Sequence, residues 1–287
     1  TPSTSSAASD VYKRQIHAYD IIVAGQATGG PSQVGFNGTG PATGAIRLEA
    51  ANNVELRGGY GADATVGHSN GQNAVITVNA KNVTLDATNG NTHIGHRNAG
   101  SSGGILVHAE NTLKFVDGAA SSWTIGHANA AAGSGSPVTI AAGALDISAA
   151  GGATTGFEVD ADLAQRLIGN NIGTGAVTLA SMAGADLNFG VPFTTTSSNA
   201  LNLHSTANVN IDGDINSSGA LNFVAGWDQQ TGIRGNFANL RTDYDRHLEL
   251  SREVVGESSI GKISDSQGSG RWNFFHDQMG TSTALLY

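Results

Sequence analysis

The four-residue motif Gly-His-any-Asn recurs three times along this chain, each time directly after a β-branched residue. The second copy begins 28 residues after the first, and the third begins 31 residues after the second. Degenerate copies begin at Val34 and at Ile168. Self-similarity at a fixed period of about 20–50 residues is the signature of stacked repeat architectures. The sequence therefore predicts a stacked repeat, with complete copies at 66–70, 94–98 and 125–129.

Two short segments of alternating apolar residues lie between successive copies. In the first repeat they are carried by Ile46 and Leu48 and then by Val54 and Leu56. Alternation with a period of two residues indicates a strand with one buried face. A small residue follows the first segment, as expected at a corner. The later pairs of segments follow the same pattern and begin at Ile76, Ile105, Val138 and Val177. Alanines stand at three of the later corners, and they are Ala80, Ala109 and Ala142.

Each repeat thus contains three strand-like sides, which are the two alternating segments and the Val/Ile-Gly-His segment. The simplest assembly is a triangular coil in which each side pairs in parallel with the same side of the next coil, about 4.8 Å away. We therefore predict an all-β, single-stranded parallel β-helix (solenoid) with about 20–30 or more residues per coil and about eight coils.

Composition agrees with short strands and many turns, since aromatic residues are 6% of the chain, charged residues are 13%, and 40 of the 287 residues are glycine. The net charge of −9 and the scattered basic residues argue against electrostatic binding of nucleic acid. The absence of cysteine excludes disulfides and thiolate metal sites. No apolar run reaches the roughly 18 residues that a transmembrane helix needs.

The chain divides into three segments. Residues 1–15 contain SSAASDVYKRQ, which is similar to a direct translation of a common transposase sequencing adapter, so this segment is predicted to be a disordered artefact. Residues 16–230 are predicted to form the parallel β-helix, with a short helical excursion capped by Asp160. Residues 231–287 are richer in charge and are predicted to be a less regular, truncated continuation.

The repeated histidines and asparagines are expected to line one edge of the solenoid. A stack of imidazoles could bind a metal ion, but metal ligands must converge on one point and stacked rings are parallel. We therefore predict a structural ladder, formed by His68, His96, His127, Asn70, Asn98 and Asn129, with no metal site. His93 and His96 have a His-x-x-His spacing, which in a strand gives only a weak indication of a metal site.

Acidic residues at the corners could in principle support catalysis on sugars. Such chemistry needs two carboxylates about 5–10 Å apart, often with a basic residue close by. Arg57 lies one coil from Asp86, but solvated turn residues are the favoured interpretation of this acidic set, which comprises Asp86, Asp117, Asp212, Asp214, Glu158, Asp160 and Asp162. No catalytic residue and no cofactor are predicted.

The Asn-Val-x-Leu alternations, the Ile-Gly-His turns and residues 218–228 resemble the filamentous haemagglutinin-like family over about residues 20–230. These are large bacterial exoproteins of two-partner secretion, related in style to autotransporter passengers. The resemblance implies a right-handed parallel β-helix, export through an outer-membrane partner barrel, and adhesion at the cell surface. The Asn-Pro motifs of the family's secretion domain do not occur in this chain, so an interior segment is expected.

We therefore predict a structural shaft segment of a secreted or surface-exposed bacterial adhesin, without enzymatic chemistry of its own. The sequence does not identify the ligand on a host or neighbouring cell. Two alternatives stay open on the same fold, namely a carbohydrate-active enzyme (lyase or hydrolase) and a glycan-binding module. In the second alternative Trp227 and Trp272 would be the stacking platforms for sugar rings.

Overall fold

The computed structural model describes residues 14–26, 30–147 and 156–225, together with the backbone of three strands further along the chain. It shows a mostly β architecture in which stacked coils form a parallel β-solenoid of about six turns. All strand pairs within the described residues are parallel, and each strand pairs with its counterpart in the neighbouring coil. The predicted solenoid class is confirmed, with fewer turns than the eight expected.

The main sheet has nine strands and forms the longest side of the solenoid. They are β1 (Arg14–Ala24), β3 (Ile46–Arg57), β5 (Ile76–Asp86), β7 (Ile105–Val116), β9 (Val138–Ile147), β11 (Val177–Ser181), β14 (Leu201–Ser205), β17 (Leu221–Ala225) and β19 (Trp272–His276).

Three smaller sheets complete the coils. One closes the first half of the solenoid and contains β2 (Ser32–Val34), β4 (Ala64–Val66), β6 (Thr92–Ile94) and β8 (Trp123–Ile125). The second contains β10 (Phe157–Val159), β12 (Leu187–Phe189), β15 (Val209–Ile211) and β20 (Ala284–Leu286). The third contains β13 (Phe193–Thr195), β16 (Ile215–Ser217) and β18 (Ile263–Asp265).

The two alternating segments of the early repeats form one bent strand rather than two separate sides. In β5 and β7 the pairing continues through the predicted corner, with a register irregularity just after the paired alanines Ala80 and Ala109. The prediction of separate strands is therefore wrong for these coils, because the corner keeps the main chain paired. It is correct for the later coils, where residues of positive φ, Ala183 at 56° and Gly184 at 74°, end β11 before β12 begins.

The interior of the solenoid is a set of aliphatic columns. Ile46 pairs with Ile76, and Ile76 pairs with Ile105, so like residues stack on like. These side chains are at most 1% exposed. Burial of apolar surface contributes about 25 cal/mol per Å², so these columns are the main source of stability.

The glycine of each Gly-His motif is explained by a close approach between coils. Gly35, Gly67, Gly95 and Gly126 have φ values between 141° and 158°, a region that residues with a side chain rarely adopt. A Cβ atom on Gly67 would lie 1.8 Å from the carbonyl oxygen of Gly95 in the next coil. Glycine is therefore required at this position for steric reasons, which accounts for the motif that reveals the repeat.

A helical segment replaces one strand of the solenoid. It consists of α1 (Ala161–Leu163), a π-helical stretch (Ala164–Gly169) and α2 (Asn170–Ile172). The predicted cap is confirmed, since Oδ1 of Asp160 accepts a hydrogen bond from the main-chain N–H of Leu163 at 2.8 Å. The segment stacks on β8 at the position where the next strand of that sheet would lie, and it lengthens the coil between β9 and β11.

The segment boundaries expected from the sequence stay predictions. β1 begins at Arg14, so the last two residues of the segment 1–15 belong to the first strand. Within 231–287, β18, β19 and β20 each add one parallel strand to a sheet of the preceding coil.

Candidate functional site

The three repeated histidines lie on top of one another at one corner of the solenoid. The ring centroids of His68 and His96 are 5.3 Å apart with an interplanar angle of 21°. Those of His96 and His127 are 4.7 Å apart at 7°. We call this set of three rings the histidine ladder. The structure therefore brings together all three histidines of the motif.

Nδ1 of each ladder histidine accepts a hydrogen bond from the coil before it. The main-chain N–H of Phe36 donates to Nδ1 of His68 at 2.9 Å, and that of His68 donates to Nδ1 of His96 at 3.0 Å. The main-chain N–H of His96 donates in the same way to Nδ1 of His127 at 3.0 Å. A nitrogen that accepts a hydrogen bond carries no proton, so Nδ1 is unprotonated in all three rings.

Nε2 of each ring contacts a carbonyl oxygen that lies further along the same preceding coil. The distances are 2.6 Å from His68 to Gly44, 2.9 Å from His96 to Ala74, and 2.8 Å from His127 to Gly103. Because a carbonyl only accepts, Nε2 must carry the proton. Each histidine therefore bridges the two ends of the loop that leads into the main sheet; these corner loops are 36–44, 68–74 and 96–103.

Burial keeps the ladder neutral. Desolvation lowers the pKa of His68, His96 and His127 from its ordinary value, and it lowers the pKa of His96 to about 4. His93, two residues before Gly95 on β6, also has its pKa lowered by burial to about 4. Both ring nitrogens of His96 are hydrogen-bonded to main chain, so the His93–His96 spacing does not present a pair of available ligands.

The asparagines of the motif do not behave as a uniform set. Nδ2 of Asn129 donates to the carbonyl of Arg97 at 2.9 Å, and Nδ2 of Asn70 donates to that of Thr39 at 3.4 Å. Asn98 is exposed, and its main-chain N–H donates to Ser69 O at 2.7 Å. Bonds from asparagine side chains thus close turns of the preceding coil in two of the three copies.

Side-chain amides stack in register elsewhere on the solenoid, at positions that the motif did not reveal. Nδ2 of Asn82 donates to Oδ1 of Asn53 at 3.0 Å, and Nδ2 of Asn210 donates to Oδ1 of Asn188 at 2.7 Å. A third column joins Thr178, Asn202 and Asn222. The available signal was the position of each residue within its repeat, because equal positions pair in the sheets.

Several of the acidic candidates have structural partners. Oδ1 of Asp86 accepts hydrogen bonds from the main-chain N–H and the hydroxyl of Thr88 at 3.0 Å and 2.5 Å, which is an ordinary turn. Asp160 caps the helical segment. Arg57 pairs in register with Asp86, as expected, but its guanidinium donates to the carboxylate of Glu55. The remaining acids of this set are exposed, and they are Glu158, Asp162, Asp212 and Asp214. Oδ2 of Asp162 also accepts a hydrogen bond from Arg166 at 3.3 Å.

Asp117 belongs to a compact cluster with Arg166 and Trp123. The guanidinium of Arg166 makes two hydrogen bonds to the carboxylate of Asp117, at 2.7 Å and 3.0 Å, and a third to the carbonyl oxygen of Trp123 at 2.8 Å. Trp123 in turn stacks on Phe115, with 3.9 Å between ring centroids. Asp117 is thus the one acidic candidate of the described residues that has a bidentate basic partner, and that partner was not predicted.

Side chains of the helical segment form hydrogen bonds with β8, which is the last strand of the sheet made of β2, β4, β6 and β8. Nη2 of Arg166 donates a hydrogen bond to the carbonyl oxygen of Trp123, and Nδ2 of Asn171 donates one to the carbonyl oxygen of Ile125, each at 2.8 Å. Nδ2 of Asn171 therefore takes the place of a main-chain N–H, because one coil earlier the equivalent carbonyl of Ile94 accepts from the main-chain N–H of Gly126. The exposed edge of a sheet is thereby covered.

The tryptophans proposed for glycan contact cannot be compared with this cluster. Trp227 lies outside the described residues, and Trp272 is the first residue of β19, for which only the backbone is described.

Within the described parts of the chain, no group of three or more His, Asp or Glu side chains is arranged to hold a metal ion. No helix found there has the length and apolarity needed to cross a membrane.

Comparison with protein-family models, curated proteins and solved structures finds no match for this chain. The fold and the corner geometry define the class, which is that of parallel β-solenoid repeat proteins.

Proposed function

We propose that this chain is a structural shaft segment of a secreted or surface-exposed bacterial adhesin. In this proposal the parent protein reaches the surface through an outer-membrane partner barrel and carries its cell-surface ligand site elsewhere. The warrant is the resemblance to filamentous haemagglutinin-like exoproteins together with the extended, repetitive fold. An array of coils that each contact only their neighbours forms a rod whose length grows with the number of repeats.

The observation that carries the proposal is the use of polar side chains to join neighbouring coils. All three ladder histidines, and amide pairs such as Asn82 with Asn53, form hydrogen bonds between one coil and the next. Buried polar groups that are satisfied in this way stiffen a structure and fix its register. A shaft that transmits force needs this kind of contact along its whole axis.

The surroundings of the acidic residues support a shaft over an enzyme. General acid–base catalysis requires two carboxylates whose environments push their pKa values apart. The carboxylate of Asp86 is held in a turn by Thr88, and that of Asp117 is held by Arg166. These bonds give both side chains a structural role.

The enzymatic alternative is tested with the full chain and a panel of bacterial and host polysaccharides. The shaft proposal predicts no increase in reducing ends and no unsaturated sugar product above a blank. Turnover that is lost in Asp117→Asn or Asp86→Asn would overturn it. Binding on a glycan array that is abolished by Trp227→Ala or Trp272→Ala would instead establish the glycan-binding module.

The export part of the proposal is tested at the level of the parent gene. We expect the reading frame upstream of this segment to encode a secretion module, and a gene for a partner barrel to lie beside it. Antibody raised against the full chain should then label intact cells of the source bacterium. Labelling only after the cells are permeabilised would contradict a surface location.

A further inference from the structure

The histidine ladder places one titratable ring at the same corner of three successive coils, with both ring nitrogens bonded to main chain. We propose that the ladder is an acid-sensitive switch. Protonation of His68, His96 and His127 releases the corner loops 36–44, 68–74 and 96–103, while the main sheet stays paired. This conformational device is independent of the adhesin proposal.

The geometry leaves no arrangement in which a charged ring keeps both of its bonds. Each neutral ring accepts from a main-chain N–H through Nδ1 and donates to a carbonyl through Nε2, as His96 does with His68 and Ala74. An imidazolium has two donors and no acceptor. Rotating the ring by 180° about the Cβ–Cγ bond puts ring carbons where both nitrogens were, so it restores neither bond. Protonation therefore breaks one of the two bonds at every position.

The charged and titratable groups around the ladder all oppose protonation of its rings. Arg14 of β1 opposes protonation of His68, and His93, His68 and His127 oppose that of His96. Arg97, on the same coil as His96, opposes protonation of His93 and is paired with Asp63, Nη2 to Oδ2 at 3.2 Å. Burial is the largest cause of the lowered pKa of all three ladder histidines, and for His68 and His96 these repulsions add to it.

Coupled opening of the corners makes the proton uptake cooperative, although charges within the closed stack repel one another. Because the ring centroids are only 5.3 Å and 4.7 Å apart, a charge on His96 repels a second charge on either neighbour. A ring that leaves the stack reaches solvent and regains its ordinary pKa. Opening at one position also removes cover from the next ring, so the three rings are expected to take up protons together.

The sign of the pH dependence follows from linkage. A ring with a lowered pKa in the closed corner binds fewer protons than the same ring in the open corner. The closed form is therefore fully favoured above the ordinary histidine pKa of about 6.5 and is lost as the pH falls toward the lowered value. Each histidine changes the ratio of open to closed corners by up to about tenfold per pH unit in this window.

The test is nuclear magnetic resonance of the full chain from about pH 8 to about pH 4.5. At neutral pH the ring nitrogens should show the Nε2–H tautomer. On acidification the amides of Phe36, His68 and His96 should lose at least tenfold of their protection from hydrogen exchange, after correction for intrinsic rates. Amides within β5 should keep theirs. The loss should be steeper than the titration of one proton.

Two variants separate the ladder from other acid effects. His96→Gln cannot titrate, so its corner opening should depend less steeply on pH. His17→Gln is the control, because the ring of His17 is exposed and lies in β1, where it pairs with Glu49 at 2.8 Å. His93 and His204 also have lowered pKa values, and only the local amide readout distinguishes the ladder from them.

The proposal is overturned if the three rings titrate independently while the corner amides stay protected, or if His17→Gln shifts the opening as much as His96→Gln does. Should His96→Gln fail to fold at neutral pH, the measurement on the unmodified chain decides alone.

Discussion

The guanidinium of Arg166 lies over the indole of Trp123, with its central carbon 3.5 Å from the ring centroid. The same side chain binds Asp117 through two hydrogen bonds and takes the carbonyl of Trp123. Arg166 belongs to the helical segment, whereas Asp117 directly follows β7 and Trp123 is the first residue of β8. One arginine therefore attaches the helical segment to the solenoid and covers β8, the last strand of the sheet that contains β2, β4 and β6.

Replacement of Arg166 should destabilise the protein substantially. Arg166→Ala removes a cation–π contact and four hydrogen bonds, one of them to Asp162, and it leaves the half-buried carboxylate of Asp117 without its partner. We expect the free energy of unfolding to fall by about 2–3 kcal/mol, measured by urea denaturation. Arg166→Lys keeps the charge but lacks the planar fork, so it should recover only part of the loss.

Arg57→Ala provides the matched control for this prediction. Its guanidinium also binds a carboxylate, that of Glu55, but the side chain is 53% exposed. An exposed ion pair contributes little, so a change within about 0.5 kcal/mol is expected. An equal loss in both variants would contradict the assignment of Arg166 as the attachment point.

A methyl group at the glycine of the motif should be poorly tolerated. A Cβ on Gly67 would lie 1.8 Å from the carbonyl oxygen of Gly95, and one on Gly95 would lie 1.9 Å from that of Gly126. We expect Gly67→Ala to cost at least about 3 kcal/mol, because the coils must separate to admit the methyl group. Thermal unfolding followed by circular dichroism measures the loss. Gly40→Ala, where the added atom meets open space, should be within about 0.5 kcal/mol of the parent.

Truncation of an interior column should weaken the neighbouring coils most. Leu85 is fully buried and stacks between Leu56 and Phe115. Leu85→Ala should cost about 2–5 kcal/mol, as for other buried leucines. Hydrogen exchange should show the largest loss of protection in β3, β5 and β7, because each coil contacts only its neighbours. Thr84→Ala, on the outward side of the same strand, is the control and should change stability little.

His204 should make the solenoid less stable in acid, independently of the ladder. Burial lowers its pKa to about 3, so the folded chain binds fewer protons at this site than the unfolded chain. The stabilisation is complete above about pH 6.5 and is lost as the pH falls toward the lowered value. Between pH 7 and pH 5 this single group should account for about 2 kcal/mol.

Comparison of the unmodified chain with His204→Gln at these two pH values measures the contribution of His204. Even if the variant is less stable at both values, its stability should depend less steeply on pH. A slope identical to that of the unmodified chain would refute the linkage.

The repeat was visible in the sequence because a steric requirement recurs at each coil. Glycine at position 67 and its equivalents is imposed by the carbonyl of the following coil, and the aliphatic columns are imposed by the interior. Requirements of this kind recur with the period of the coil. Period and alternation therefore sufficed to predict a parallel β-solenoid and the stacking of its sides.

Features that depend on contacts between non-equivalent positions could not be predicted in the same way. Arg166 and Asp117 are 49 residues apart and meet only because the helical segment folds back over β8. The roles of the ring nitrogens of His96 depend on which main-chain groups face them, and no residue pattern encodes that geometry. The bent strand of the early coils was also missed, because alternation is interrupted at a corner whether or not pairing continues through it.

The bridging of each corner loop by a histidine of the following coil has a consequence for how such an array can change in length. A loop such as 68–74 is completed by His96, which belongs to the next winding. Removing or duplicating a whole period leaves every imidazole with a donor and an acceptor, wherever the cut is made. Insertion or deletion of any other length would leave one histidine without its hydrogen-bond partners in the corner loop. Related sequences are therefore expected to differ in length by whole coils.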